Sequence, residues 1–185
     1  MNEVAKRFSP DQWGIVRGSV LALALAGATL TVAHVWAPAR LFGLNDAMAF
    51  GDRMTFALKI DLVLFLWLAG CVRAVSSKRF SFPQDIRGSA FGAPSPALAL
   101  RAAILQNSLE QTVLFFPATL ILAALLHGQE LMFMPFLVGL FMLGRVTFAF
   151  GYAKSASGRA FGMALTAAPI IASYVVVIWL IAAGR

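Results

Sequence analysis

Apolar residues along this chain come in five runs, and the polar residues collect in the gaps between them. The runs fall at residues 18–37, 55–75, 98–126, 131–153 and 160–183. A helix needs about 20 predominantly apolar residues to cross the hydrocarbon layer of a bilayer. The pattern therefore predicts an all-α fold, a transmembrane helical bundle of five spans. Residues 38–54 read as a loop with an interfacial turn. Residues 76–97 form the longest polar connection, and their prolines and glycines argue against a regular element there. The short gap at 127–130 allows only an antiparallel hairpin between the third and fourth spans. Pro117, Pro135 and Pro169 fall in or near spans, where neighbouring helices can satisfy the carbonyls that proline frees.

Composition sharpens the membrane reading. The 185 residues are 60% apolar and 12% charged, against about 25% charged in a soluble domain, and the mean hydropathy is +0.81. The formal net charge is +7, but the basic residues flank apolar runs. That placement fits topology and anionic lipid, not a nucleic-acid face. With the N-terminus inside, one side collects Lys6, Arg7, Arg17, Arg73, Lys78, Arg79, Arg87, Arg101, Lys154 and Arg159. The other collects Arg40, Arg53, Lys59 and Arg185. The asymmetry predicts a cytoplasmic N-terminus, and a bacterial inner membrane is the expected location. The first run is read as a retained helix; cleaving it as a signal would leave the orientation of the rest unchanged. Cys71 is the single cysteine, which excludes an internal disulfide and a cysteine-rich metal site. Lys59 and Asp61 are placed near the start of the second span, where a lysine can reach the interface.

Inside the third span lies a polar patch, Asn107-Ser108-Leu109-Glu110-Gln111. A carboxylate deep in a bilayer costs roughly 2.5–3.5 kcal/mol on insertion scales, so it requires a partner or a function. Counted from the hairpin turn near residue 128, Glu110 lies about 18 residues before it and Arg145 about 17 after it, equal depths at about 1.5 Å per residue. An ion pair across the hairpin, or between neighbouring subunits, is the expectation. Asn107 sits one turn from Glu110, and Tyr152 two turns from Arg145 with Phe148 between. Arg101, Lys154 and Arg159 lie toward the same ends of these helices. Taken singly, these residues suit a register clamp, an interfacial anchor and topology charges. Together they describe a cationic, hydrogen-bonding cavity suited to a small anionic ligand. No metal-ligand spacing, phosphate-binding glycine loop or Ser/His/Asp set accompanies them.

The segment N-x-x-E at residues 107–110, followed by R-x-x-F-x-x-G-Y-A-K-S-A-S-G-R at residues 145–159, resembles the MAPEG superfamily, the membrane-associated proteins of eicosanoid and glutathione metabolism. The resemblance covers residues 55–183. It divides the chain into an N-terminal segment with an extra transmembrane helix, 1–54, and a MAPEG-like four-helix membrane domain, 55–185. It implies a homotrimer that binds glutathione as co-substrate near the cytoplasmic face, between subunits. By position, Asn107 and Glu110 match polar contacts to glutathione, Arg145 a buried arginine beneath it, and Tyr152 a ligand-contacting tyrosine. Arg159 matches the arginine that stabilises the thiolate. Two positions depart from the pattern. Ala103 stands where an arginine is common, leaving Arg101 as the candidate substitute, and Phe148 stands where a second tyrosine is expected. The implied activity is transfer of glutathione to lipophilic electrophiles, or its use to reduce lipid hydroperoxides. The alternative is a non-catalytic lipid-binding or scaffolding protein of the same fold. A channel or transporter has little support, because no broken helix pair or file of charges is present.

Overall fold

The computed structural model describes residues 9–88 and 91–184, and it is built from helices. They are α1 (Pro10–Trp36), α2 (Phe50–Ser81), the short α3 (Pro83–Ile86), α4 (Pro96–Leu125), α5 (Met134–Tyr152) and α6 (Ala156–Ala182). Five helical segments among the described residues are long and apolar enough to cross a membrane. Of the charges used to orient the chain, Lys6, Arg7 and Arg185 lie outside the described residues, as does the side chain of Arg40.

α1, α4 and α6 begin earlier than the apolar runs because polar residues cap them. Ser9 and Gln12 form a reciprocal capping box ahead of Pro10, the arrangement that satisfies orphan donors at a helix start. Ser95 Oγ accepts from Leu98 N at 3.3 Å, and Ser155 Oγ accepts from Gly158 N at 2.9 Å. The connection expected to be irregular at 76–97 is partly ordered. α2 continues through the polar residues to Ser81, and α3 follows at once. The first gap and the hairpin gap carry 3-10 turns at Ala39–Phe42 and Gly128–Phe133.

α6 organises the bundle. It packs along α5, α1 and α4, while α2 packs along α4. The expected α4–α5 hairpin is therefore a connection more than a packed pair. The reason is steric. Gly144 on α5 faces the Thr166 backbone and side chain, and Gly162 on α6 faces the Phe148 backbone, with no room for a Cβ at either. Small residues let helix backbones approach closely in membranes, and α5 finds them on α6. α1 uses the same device. A Cβ on Gly14 would meet Ser157 Cβ at 2.8 Å, and one on Gly18 would meet the Phe161 backbone nitrogen at 3.2 Å. One and two turns on, Ala22 and Ala26 are buried against Leu140 and Leu165. The central core joins Leu64 of α2, Phe115 and Leu122 of α4, Phe141 of α5 and Ile170 of α6. Phe115 and Phe141 stack with centroids 4.7 Å apart.

A buried carboxyl sits at the α2–α4 contact. Asp61, placed near a helix start by its sequence position, is 0% exposed because α2 begins eleven residues before it, at Phe50. Its Oδ2 lies 2.6 Å from Thr119 Oγ1, and its Oδ1 has no hydrogen-bond partner among the described residues.

Candidate functional site

Arg145 is the largest fully buried side chain among the described residues, at 0% exposure. α5 delivers it into the seam with α6 where Gly144 and Gly162 let the backbones close. Its Nε and Nη2 donate to Thr166 Oγ1 at 2.9 and 2.7 Å, and its Nη1 donates to Asn107 Oδ1 at 2.7 Å. Thr166 Oγ1 donates in turn to Gly162 O at 2.8 Å. Both acceptors of the guanidinium are neutral. Its face lies against Phe148, with 4.7 Å from Cζ to the ring centroid, a cation–π contact strengthened by the dry surroundings.

The expected Glu110–Arg145 ion pair does not form within the chain. Glu110 is exposed, and its Oε1 accepts from Gln106 Nε2 at 3.0 Å. Three residues along a helix turn a side chain by about 60° net, enough to send Asn107 inward and Glu110 outward. The hairpin count matched their depths but could not fix their faces.

From Arg145 a ladder of rings and guanidinium groups climbs toward the α5–α6 turn. Phe148 and Tyr152 meet edge to face at 5.2 Å, an arrangement the ring quadrupoles favour. The guanidinium of Arg159 lies 5.0 Å from the Tyr152 centroid. Arg159 is exposed in the first turn of α6. It lines a cavity of about 270 Å³ with Ile15 and Ser19 of α1 and Ala160, Met163 and Ala167 of α6. A cation thus stands at one edge of a crevice whose other walls are mostly apolar.

Arg101 departs from the group. Its Nη1 donates to Ala74 O at 2.9 Å, which turns it toward α2. There it lines a separate cavity of about 310 Å³ with Trp67, Cys71, Ala74, Ile104 and Ala149. Of the six residues singled out from the sequence, the structure links Asn107, Arg145, Tyr152 and Arg159 in one connected path. Arg101 and Glu110 point elsewhere on the same protomer. Sequence reading missed Thr166, the acceptor of two of the guanidinium bonds. Its signal was a lone hydroxyl four residues after Gly162 and seven after Arg159, on the helical face that both share.

No groups of His, Cys, Asp or Glu suited to a metal ion occur among the described residues. Comparison with protein-family models gives a match to the MAPEG family over residues 54–179, from the first turns of α2 to the last turns of α6. Comparisons with curated proteins and with solved structures gave no match.

Proposed function

From the premise that this chain belongs to the MAPEG family and is a multi-pass integral membrane protein, we propose that it binds glutathione around Asn107, Arg145, Tyr152 and Arg159. It would transfer the tripeptide to lipophilic electrophiles, or use it to reduce lipid hydroperoxides, at a cytoplasm-facing site. The observation that carries this reading is Arg159. An exposed guanidinium on the Tyr152 ring borders a crevice with largely apolar walls. An anionic sulfur and a lipophilic partner could meet there. A permanently charged guanidinium in the first turn of a helix favours a thiolate over a thiol. In conjugation the thiol gives its proton to water. The thiolate sulfur then attacks the electrophilic carbon, and the C–S bond forms as the leaving group departs. The nucleophile belongs to the co-substrate, and the chain contributes binding and electrostatics.

Glu110 bears on assembly. Its outward carboxylate, at the depth of Arg145, suits a ligand ammonium or a cation on a second copy. This suits a site shared between neighbouring copies, as in the homotrimer that the family resemblance implies.

Arg159→Ala should lower turnover several-fold or more in purified protein and weaken, at neutral pH, the ultraviolet thiolate band that forms on adding glutathione. Unchanged turnover and an unchanged band would remove Arg159 from the mechanism. The turn of Arg101 to α2 favours a second reading, a non-catalytic lipid-binding or scaffolding protein. Calorimetric titration separates the two: no heat at millimolar glutathione leaves only the second.

A further inference from the structure

The seam between α1 and α6 is closed over one half of its length and open over the other. Gly14 faces Ser157 and Gly18 the Phe161 backbone. Four-residue steps on each helix continue that register to Ala22 and Ala26, both buried. The next step is Leu30, at the level of Ser173. A side chain of that size keeps the backbones apart, and a cavity of about 300 Å³ opens there. Leu30, Leu122, Leu137 and Val176 are among its walls, so α1, α4, α5 and α6 all contribute. Beyond it α1 is fastened again, with the His34 and Phe133 rings stacked at 5.9 Å between centroids. The gap is therefore a chamber held at both ends and not a frayed terminus.

Its position puts it in the hydrocarbon. Leu30, Leu137 and Val176 stand about 4–8 Å from the middles of their apolar runs, all toward the α4–α5 turn, at about 1.5 Å per residue. The hydrocarbon layer reaches about 15 Å from its middle. Arg159 lies in the other half, about 25 Å before Val176 along α6. Two polar side chains line the cavity, and both are engaged. Ser173 Oγ donates its one proton to Pro169 O at 2.7 Å, and Glu130 Oε2 accepts from His127 N at 2.7 Å. Water needs about two to four polar partners in a cavity, and neither side chain offers it an open donor. An empty cavity would forfeit dispersion contacts along its lining. A dry engineered cavity of about 150 Å³ takes up benzene, and this one is about twice as large. Val176 is 40% exposed and Leu30 and Ala172 are half-buried, while Leu122 and Leu137 on the floor are buried. The mouth therefore faces the bilayer sideways, between α1 and α6.

We propose that this cavity binds one acyl chain of a phospholipid from the leaflet on that side, entering between α1 and α6. The chain is held by shape and dispersion, and its headgroup stays at the interface. It joins α1, a helix outside the matched residues 54–179, to the rest of the domain. The inference is independent of glutathione.

The test uses the native protein in nanodiscs of phosphatidylcholine that carries a diazirine at mid-chain. Illumination, digestion and mass spectrometry then locate the lipid adducts. The expected result is adducts on the floor residues Leu122 and Leu137 as well as on Ile178, which is 65% exposed and reports bulk lipid. Ala172→Phe fills the cavity and should cut the floor adducts several-fold while leaving those on Ile178 unchanged. Val176→Trp blocks the mouth and should do the same, which gives a second test of the site should the first variant fail to fold. Adducts on Ile178 with none on the floor would overturn the proposal. So would floor adducts at the parent level in either folded variant.

Discussion

Thr166→Val isolates how the membrane domain tolerates a buried charge. The substitution nearly preserves shape and removes one oxygen, but that oxygen accepts two of the three hydrogen bonds from Arg145 to α4 and α6. Hydrogen bonds to charged groups contribute about 1.5–3 kcal/mol each, while interhelical bonds in membranes have measured nearer 0.6 kcal/mol on average, with a maximum near 1.7. Arg145 is fully buried, so little water can replace the lost acceptor. The expected loss is about 2–4 kcal/mol, toward the range for stripping a buried charge of its partner. At about 2–4 °C per kcal/mol for a chain of this size, the midpoint should fall by roughly 5–15 °C. Arg145→Met removes the charge itself and should cost less, because Thr166 keeps its bond to Gly162 O. The double variant should be no less stable than Thr166→Val alone. Reversible unfolding in mixed micelles, followed by tryptophan fluorescence across the four-protein cycle, measures the coupling. If Thr166→Val unfolds within about 0.5 kcal/mol of the parent, or the cycle shows no coupling, the guanidinium is not held as described.

Three further outcomes follow from the packing and the polar pins. Gly18→Leu places side-chain atoms against the Phe161 backbone, which cannot rotate away, so α1 should lift from α6. A short crosslinker joining thiols introduced by Ser19→Cys and Met163→Cys should lose most of its yield, and retained yield would show that α1 packs otherwise. Thr119→Val leaves the Asp61 carboxyl without its one hydroxyl partner and should destabilise by about 2–3 kcal/mol. Asp61→Asn should stay within about 1 kcal/mol of the parent by the same unfolding assay, since an amide can still bond the hydroxyl. Asp85 has its carboxyl held below the usual carboxylate range, first by Ser95 Oγ, then by Ser95 N, with smaller help from Lys78 and Arg79. A depressed folded value means that the pin is fully effective above the unfolded value, about 3.9, and weakens as pH falls through the lower folded value. Hydrogen exchange in residues 82–95 should therefore rise only below about pH 4. Asp85→Asn should raise it at neutral pH, and a rise beginning near pH 6 would point to a different group.

The count of spans and their order were legible in the sequence because a bilayer imposes length and polarity on each segment directly. The cap residues were visible too, but a threshold on apolar runs discards them, so the serine-capped helices α1, α4 and α6 start earlier than the runs. Partner choice was less legible. Short connections join α4 to α5 and α5 to α6 alike, yet α5 closes on α6 and not on α4, because Gly144 and Gly162 admit it. The site divides along the same line. Tyr152 and Arg159 flank the three-residue turn between α5 and α6, and their contact could be expected. Asn107 and Glu110 differ by a rotation on one helix, and only the packed structure decides which of them meets Arg145.

That decision changes the electrostatics of the proposed site. Had Glu110 paired with Arg145, the two would form a dipole whose field falls off steeply, and little charge would be felt at the helix ends. With amide and hydroxyl oxygens as its acceptors, Arg145 keeps a net positive charge beneath the ladder of Phe148 and Tyr152. The rise from Arg145 to Tyr152 along α5 is about 10 Å. At an effective dielectric of about 20, a unit charge stabilises an anion at that distance by about 1.5 kcal/mol, close to one pKa unit on a bound thiol. Arg159, at the Tyr152 ring, would add the larger and nearer share. The prediction is therefore graded. Arg159→Ala should raise the apparent pKa of bound glutathione most. Arg145→Met, although buried, should raise it by up to about one unit and weaken glutathione binding only at pH values where the thiolate is the bound form. A pH titration of the thiolate band in both variants reads the two shifts, and a null result for Arg145→Met would confine that residue to holding the helices together.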